Sequence, residues 1–457
     1  MESDERGRVP RLLVAGALFA FALAIRIRGI DTHFWLLGDQ IRDWGIALRP
    51  FHELPLVGPA THVGGYTIGP AYYWMMWAIR VVVGPFFDNL PHAGGIGQAI
   101  LESAADALLL TALWRRTQSV WMAVAAAIVV VTSAFDVALS AIDWTPPIAS
   151  ALGKTAIALV LLDWHRTSAL GVGVIAALAW SGVHVYTGVV FVTAGVLAAL
   201  IVDPLARRDW RAVRRNPAIV TLAVLALQIP YLVHRLQHES SGPAMGAVTG
   251  GVWRVLSGEA PPELAKSVAG YVGAFNYIEV EPWHTPWPLW GLVVCGAIVA
   301  VRYRRDPAIA ALVLLPQALA IAGYALFLDT LDHYYYIPVM PVTVLTVCFA
   351  LAVPARSRPG RLIGIALCLA AAAIVPARLA LAATMHRLPE YRVLVEASRT
   401  IAAAHASVRA IRTEFTLPPS TDPEFLYRIL GGRVDPNAPR AALIQADGSV
   451  RYVEGDL

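Results

Sequence analysis

The chain is poor in charge, and above all in lysine. Charged residues make up 15% and hydrophobic residues 57% of its 457 residues, whereas soluble domains carry about 25% charge and about 45–50% apolar residues. Lys154 and Lys266 are the only lysines, so nearly all of the 36 basic residues are arginines, which fall in short clusters between apolar runs. Such clusters form no continuous basic surface for a nucleic acid and are typical of an integral membrane protein.

Cysteine is scarce as well. Cys295, Cys348 and Cys368 all lie inside apolar runs, which excludes a disulfide framework and a zinc-binding spacing. The first apolar run, 12–25, follows three arginines, and no small-residue cleavage site comes after it. We therefore expect an uncleaved first helix rather than a signal peptide.

Apolar runs of about 20 residues, the length that spans a bilayer, recur along the chain. The stretch 168–202 would be about 52 Å long as one helix at about 1.5 Å per residue, so a break near Gly182, His184 and Gly188 predicts a hairpin of two short helices. The segment 70–87 is apolar but rich in tyrosine and tryptophan. The eleven predicted spans are roughly 11–29, 96–113, 120–135, 146–162, 168–183, 188–203, 217–233, 287–301, 307–328, 335–353 and 361–381.

Arginine placement decides the status of 70–87. If this segment does not span, the clusters at 115–116, 207–215, 302–305 and 356–361 all face the cytoplasm with the N-terminus. We therefore interpret 70–87 as interfacial or re-entrant. The sequence predicts an all-α polytopic membrane protein with about 11 transmembrane helices, a cytoplasmic N-terminus and an extracytoplasmic C-terminus.

The predicted domains are a transmembrane domain, 1–385, and a small extracytoplasmic α+β tail, 386–457. The first has long outer loops at about 30–95 and 234–286. In the second we expect a surface helix at 389–404, a strand at 408–415, a short helix at 423–430 and a hairpin at 441–453 around Asp447-Gly448.

The first outer loop opens with two carboxylates and an arginine within five residues, Asp39, Arg42 and Asp43. Near a membrane surface this group could supply a catalytic base with its charge partner. The other interpretation is a solvated loop with a helix cap. The aromatic segment with Tyr72 and Tyr73 follows in the same loop.

Other charged residues fall at or within the helices. Asp143, beside Trp144, either completes an acidic pair with Asp39 or caps the next helix. Glu102 and Asp106 share one helix face, and with Lys154 they form either a structural ion pair or a charged pocket.

Taken together, these features resemble the GT-C superfamily of lipid-linked glycosyltransferases in bacteria, which includes protein O-mannosyltransferases and the aminoarabinose transferase of lipid A. The resemblance covers about residues 11–350. It rests on the helix and loop order, on Asp39-Gln40-Ile41-Arg42-Asp43 and on Gly69-Pro70-Ala71-Tyr72-Tyr73. The chain departs at Trp144-Thr145-Pro146, where relatives carry asparagine after the tryptophan, and it lacks the Lys-Pro-Pro segment of the aminoarabinose transferases.

The resemblance implies an inverting sugar transfer in the bacterial plasma membrane, from a polyprenyl-phosphate donor to a glycan, lipid or protein acceptor of the cell envelope. Asp39 is then the base and Asp143, ahead of Asp136, the second acidic residue; the two could share a divalent metal (Mg²⁺ or Mn²⁺). The residues expected to bind substrate are Arg42, Asp43, Tyr72, Tyr73, Arg80, Lys266, His333 and Tyr334, and the donor phosphate is assigned to one of Arg42, Arg80, Lys266 or His333. The rival function is a transporter or flippase with Glu102, Asp106 and Lys154 on a path across the bilayer.

Overall fold

The computed structural model describes residues 2–34, 36, 38–61, 65–238, 245–276, 287–327, 333–352, 357–384, 391–404, 407–417 and 421–454. The α-helices are α1 Glu2–Ile27, α2 Ile30–His33, α3 Gly38–Ala47, α4 Ala71–Val82, α5 Leu90–Thr117, α6 Val120–Val131, α7 Ala134–Leu139, α8 Thr145–Leu161, α9 Trp164–Thr167, α10 Ala169–Val185, α11 Val190–Ala206, α12 Trp210–Gln237, α13 Met245–Leu256, α14 Leu264–Asn276, α15 Trp287–Arg302, α16 Pro307–Ala325, α17 Met340–Leu351, α18 Arg358–Ala382, α19 Tyr391–Ala404 and α20 Pro423–Ile429. The strands are β1 Ser407–Val408, β2 Ile411–Thr413, β3 Arg433–Val434, β4 Arg440–Ile444 and β5 Val450–Glu454.

The apolar helices agree with the predicted spans. Within the described ranges, seven helices are long and apolar enough to cross a membrane and four more are apolar but shorter, eleven in all. These segments are Pro10–Ile27, Leu90–Thr117, Val120–Val131, Thr145–Leu161, Ala169–Val185, Thr187–Ala206, Trp210–Gln237, Leu289–Arg302, Pro307–Ala325, Tyr334–Leu351 and Arg358–Ala382. The predicted fold, a multi-pass helical membrane protein, is confirmed.

The helices run between two ends of the bundle. At one end Arg116 contacts Asp163 at 3.5 Å and also Asp306, while Arg166 contacts Asp203 at 2.7 Å, so the connections after α5, α8, α11 and α15 meet there. We call this the Arg116 end. The connections after α1, α7 and α10 meet at the opposite end, which we call the Asp39 end.

The aromatic segment forms α4, a helix of 12 residues that packs on α3 at the Asp39 end. Although α6 has the same length, α4 is not among the eleven apolar helices given above. The prediction that 70–87 does not span is therefore correct. The stretch 168–203 is also the predicted hairpin, with α10 and α11 joined by a 3-10 turn at Thr187–Val189.

Helix α5 begins earlier than the sequence indicated, at Leu90 rather than near residue 96. The Asn89 side chain accepts a hydrogen bond from the His92 amide and so caps the helix, and Pro91 lies in its first turn. The sequence did not indicate this first turn because Gly94 and Gly95 interrupt the apolar run. Both glycines pack too closely against neighbouring chain to accept a side chain.

The C-terminal residues form a small α+β unit against the Asp39 end. Strands β2, β4 and β5 form one sheet, in which β2 and β4 are parallel and β4 and β5 are the predicted hairpin, with Gly448 at φ 86° in its turn. The Asn89 side chain donates to the Tyr391 hydroxyl at 3.0 Å, and Thr421 donates to the Leu36 carbonyl at 3.2 Å. The unit is thus attached directly to the long loop after α1.

Candidate functional site

Helix α3 presents the acidic motif on two faces. Gln40, Asp43, Trp44 and Ala47 are buried, in the spacing of one helix face, whereas the Asp39 side chain is 55% exposed. Asp39 lies in the first turn of α3 rather than at its cap. One short helix therefore offers one carboxylate to solvent and one to the protein interior.

Arg42 joins these two carboxylates. Its Nη1 atom donates to Oδ1 of Asp39 at 2.9 Å and its Nε atom donates to Oδ1 of Asp43 at 2.8 Å. The Tyr73 hydroxyl of α4 donates to the same Asp43 oxygen at 3.1 Å. Burial raises the pKa of Asp43 to about 6, although the Arg42 and Tyr73 hydrogen bonds oppose the shift.

Asp143 lies between α7 and α8 in an unusual environment. Its side chain is fully buried, its φ is 61°, and neither carboxylate oxygen forms a hydrogen bond of normal geometry to the described residues. Burial and the Asp43 carboxylate raise the pKa of Asp143 to about 8, which the Trp44 indole partly offsets. The alternative that Asp143 caps α8 is wrong, because Trp144 holds the N-cap position.

A glycine in α5 makes room for this residue. A Cβ atom on Gly94 would lie 2.5 Å from the Trp44 ring and 2.6 Å from Oδ2 of Asp143. Since real Cβ atoms do not approach other atoms so closely, the packing of α3, α5 and Asp143 requires glycine here. The Tyr72 hydroxyl, 3.5 Å from the Asp143 carbonyl oxygen, closes the same packing from α4.

A cavity of about 720 Å³ opens beside the acidic motif. Asp39 and Arg42 are the charged side chains on its wall among the described residues, and Thr61, Thr67 and Thr145 add hydroxyl groups. This size suits a ligand of several sugar-sized groups. Asp143 and Asp43 do not line the cavity; they lie behind it.

The opposite wall of this cavity is aromatic. The Tyr334 ring lies 4.8 Å from the Trp144 ring and stacks on Tyr335 at 4.7 Å, and Tyr186 stacks on Tyr335 at 6.3 Å. Flat aromatic faces beside a charged pair can bind an amphiphilic ligand through its apolar and polar parts together.

A second groove also borders the Asp143 segment. It measures about 650 Å³ and is lined by residues of α1, α7 and α18, with the exposed Arg28 at one end. Ala141 and Ile142 line this groove, whereas Trp144 and Thr145 line the larger cavity. The few residues around Asp143 therefore separate two openings.

Two predicted phosphate-binding cations lie apart from the cavity. Arg80 donates to the Ala47 and Arg49 carbonyls at 2.9 and 3.4 Å, which fastens α4 to the end of α3. Lys266 pairs with Glu263 at 2.6 Å. The side chain of His333 lies outside the described residues, as do Asp329, Asp332 and the acidic and aromatic residues at 279–284.

The predicted intramembrane ion pair is larger than the sequence indicated. Lys154 contacts Glu102, and it contacts Asp106 at 2.7 Å. The cluster has two further members that the sequence pattern did not assign to it, Arg26 and Asp136. Arg26 contacts Asp106 at 2.6 Å and also Asp136. Arg26 lies near the end of an apolar helix but still within it, and this position could have predicted that it needs a buried acidic partner.

Two groups of carboxylates are candidate ligands for the expected divalent metal. Glu102, Asp106 and Asp136 lie close enough to hold an ion, but Arg26 and Lys154 already form ion pairs with these three carboxylates. Asp143, whose carboxylate oxygens form no hydrogen bond of normal geometry to the described residues, interacts electrostatically with Asp43. Carboxylate oxygens suit a divalent cation, so Asp143 with Asp43 is a candidate donor set, while the expected pair of Asp143 with Asp39 stays a prediction.

No family model matches the sequence, and no curated protein matches it. Solved structures match nearly the whole chain. ArnT from Cupriavidus metallidurans in the apo state is 14% identical with a TM-score of 0.51, covering 94% of this chain and 92% of ArnT. The Archaeoglobus fulgidus oligosaccharyltransferase in complex with Zn and sulfate is 13% identical with a TM-score of 0.52, covering 93% of this chain.

The match covers only part of the archaeal protein, because this chain spans 62% of that oligosaccharyltransferase. AglB from the same archaeon, in complex with an inhibitory peptide and a dolichol-phosphate, is 11% identical with a TM-score of 0.50, covering 98% of this chain and 74% of AglB. At these identities the likeness concerns the fold. The expected resemblance is confirmed as a likeness of fold to ArnT and AglB.

Proposed function

We propose that this chain is a membrane glycosyltransferase that moves a sugar from a polyprenyl-phosphate donor to an acceptor on the extracytoplasmic face. The observation that carries the proposal is the cavity that combines the Asp39–Arg42 pair with an aromatic wall. The fold supports it, because AglB, which shares this fold, is in complex with a dolichol-phosphate.

Asp39 is the residue we assign as the base. It is the one carboxylate on the cavity wall among the described residues, so an acceptor hydroxyl in the cavity can reach it. Asp143, with a pKa of about 8 and no cavity surface, suits this role less well. Asp43 is buried and already bonded to Arg42 and Tyr73.

The reaction follows from this placement. The acceptor oxygen forms a bond to the anomeric carbon from the face opposite the phosphate, which inverts that centre, and its proton passes to Asp39. The bond between the anomeric carbon and the phosphate oxygen breaks, and its electron pair stays on the phosphate. Arg42 stabilises the developing negative charge.

The buried acids support the charged pair from behind. Asp43 fixes the guanidinium of Arg42 by accepting a hydrogen bond from Nε of that arginine. This leaves Nη1 of Arg42 directed at Asp39. A divalent cation, where the reaction uses one, would be held by Asp143 and Asp43 and would supply positive charge for the leaving phosphate.

Two openings border the Asp143 segment, the aromatic cavity and the groove beside Arg28. We assign both the donor headgroup and the acceptor hydroxyl to the aromatic cavity, because Asp39 lies on its wall. The groove, whose lining is mostly apolar, suits membrane lipid.

Membrane orientation is part of the proposal. The arginine clusters gather at the Arg116 end, which we assign to the cytoplasm, so the Asp39 end with the C-terminal unit is extracytoplasmic. A transporter would need Glu102, Asp106 and Lys154 on an open path. Their side chains are at most 1% exposed and pair with one another, which favours the enzyme over the transporter.

The test compares two aspartates at the Asp39 end of the full chain. Asp39→Asn should lower transfer of labelled sugar from polyprenyl phosphate by about 100-fold or more, because it removes the base. Asp88→Asn is the control: Asp88 is also exposed, and it pairs with Arg399 at 2.8 Å away from the cavity wall. If Asp39→Asn retains the activity of Asp88→Asn, the assignment of Asp39 is wrong, and if the unaltered chain transfers no sugar from any such donor, the proposed function fails.

A further inference from the structure

The Asp143 segment adopts a conformation that its own residues do not favour. A φ of 61° is unusual for a residue other than glycine, and within the part of the chain that the structure describes the buried carboxylate has no hydrogen bond of normal geometry. Backbone of this kind persists only where the surroundings hold it in place. The contacts on either side of Asp143 are therefore informative.

Gln98 on α5 holds the segment at two points. Its Nε2 atom donates to the Leu139 carbonyl at 2.9 Å, and its Oε1 atom accepts a hydrogen bond from the Trp144 amide at 2.7 Å. Gln98 is fully buried, so no water competes for these bonds. One side chain thus joins the end of α7 to the start of α8, with Asp143 between.

A second attachment holds the same segment through charge. Asp136 on α7 contacts Arg26 in the last turn of α1, and the Arg26 side chain also contacts Asp106 on α5 at 2.6 Å. Arg26 precedes the loop that carries Asp39. The ion pair therefore links the helix before the Asp39 loop to the helix before Asp143.

We propose that Gln98, assisted by the Arg26–Asp136 ion pair, is a positioning residue that fixes Asp143 between the two openings of the site. Gln98 lines neither opening, so it acts through the backbone of residues 139–144. The effect of Gln98 on the reaction rate rests on the proposed function, whereas its effect on the position of residues 139–144 does not.

Gln317 supplies a matched control. It is a buried glutamine on α16 that also bonds on both sides, accepting from the Tyr271 hydroxyl at 2.8 Å and donating to Thr346 at 2.6 Å. Gln98→Leu should lower kcat at least 10-fold with the KM for the donor changed less than 3-fold. Gln317→Leu should leave both constants within 3-fold, although both variants lose a buried amide.

A labelling measurement tests the position of the segment without any activity. Thr145→Cys, in a chain whose three native cysteines are replaced by alanine, places one thiol on the cavity wall. The rate of its reaction with a membrane-impermeant maleimide should change at least 3-fold when Gln98→Leu is added and less than 2-fold with Gln317→Leu. Equal rates in both backgrounds would overturn the inference, even if sugar transfer were demonstrated.

A second pair of variants serves if Gln98→Leu does not fold. Asp136→Asn and Glu102→Gln each remove one carboxylate charge from the same cluster, but only the first breaks the link from Arg26 to α7. In the Thr145→Cys background, we expect Asp136→Asn to change the labelling rate at least 3-fold and Glu102→Gln to leave it within 2-fold. The inference is wrong if the two variants behave alike.

Discussion

The Tyr73 hydroxyl lies 3.1 Å from Oδ1 of Asp43, so the aromatic segment and the acidic motif of the first loop form one bonded unit. Arg42 extends that unit to Asp39, which faces the cavity. The exposed Asp39–Arg42 pair is in this way supported from behind by a buried carboxylate and a phenol.

Removal of this phenol should change the pH dependence of the reaction. The Tyr73 hydrogen bond lowers the pKa of Asp43, which stands at about 6, so Tyr73→Phe should raise that pKa. Asp43 holds Arg42 only when it is ionised, so activity should fall below the pKa. We expect the acid limb of kcat/KM to move up by about one pH unit, the equivalent of one hydrogen bond. Tyr66→Phe, an exposed tyrosine in the same loop, is the control, and an equal shift there would contradict the link.

Asp143 should make the protein less stable as the pH rises. Its pKa is raised from 3.8 to about 8 on folding, so its favourable contribution is complete below pH 3.8 and is lost as the pH rises to about 8. The slope is at most about 1.4 kcal/mol per pH unit. Asp143→Asn has no such proton. Its melting temperature in detergent should therefore rise relative to that of the unaltered chain between about pH 5 and pH 8. Glu53→Gln, at an exposed position, should show no gain; parallel curves for Asp143→Asn would show that the carboxyl is not held protonated.

The two lysines of the chain should differ sharply in their effect on stability. Lys154→Met leaves Glu102 and Asp106 buried with one cation fewer, which should cost about 3–5 kcal/mol in the free energy of unfolding. Lys266→Met breaks a half-exposed pair with Glu263 and should cost about 0–1 kcal/mol. Denaturation in mixed micelles measures both. Similar losses would mean that the buried cluster does not depend on Lys154.

The C-terminal unit should detach when its buried anchor is removed. Tyr391 is fully buried, bonded to Asn89 and packed 5.2 Å from the Phe34 ring. Tyr391→Ala should cost about 3–5 kcal/mol of docking and packing energy, so limited proteolysis should release the unit much faster. Arg399→Ala removes only an exposed pair with Asp88 and should cost about 0–1 kcal/mol. Equal cleavage of the two variants would show that Tyr391 is not the anchor.

The helical layout followed from the sequence because a bilayer imposes length and apolarity on each span. Arginine placement correctly excluded 70–87 as a span, and Asp447-Gly448 correctly marked the hairpin turn. The helical spacing of Gln40, Asp43, Trp44 and Ala47 could also have separated the buried Asp43 from the exposed Asp39. These features depend on neighbours close in the chain.

The environment of Asp143 could not be obtained in this way. Its left-handed backbone, its contact with Trp44 and the two hydrogen bonds that join Gln98 to Leu139 and Trp144 depend on segments that are far apart in sequence. The roles of Arg26 and Asp136 have the same origin, because an ion pair across 110 positions leaves no local pattern. Tertiary packing, rather than residue type, determined these residues' environments.

The hydrogen bond from Thr421 to the Leu36 carbonyl also has a consequence for biosynthesis. Its partners are separated by 385 positions, and translation adds about 5–20 residues per second, so roughly 20–80 seconds pass between their synthesis. Throughout that interval the loop that bears Asp39 lacks its contacts with the C-terminal unit. The loop after α1 is thus among the last parts of the protein to reach its final packing, and a chain cut short before Tyr391 would keep α1 to α18 but leave that loop without its C-terminal contacts.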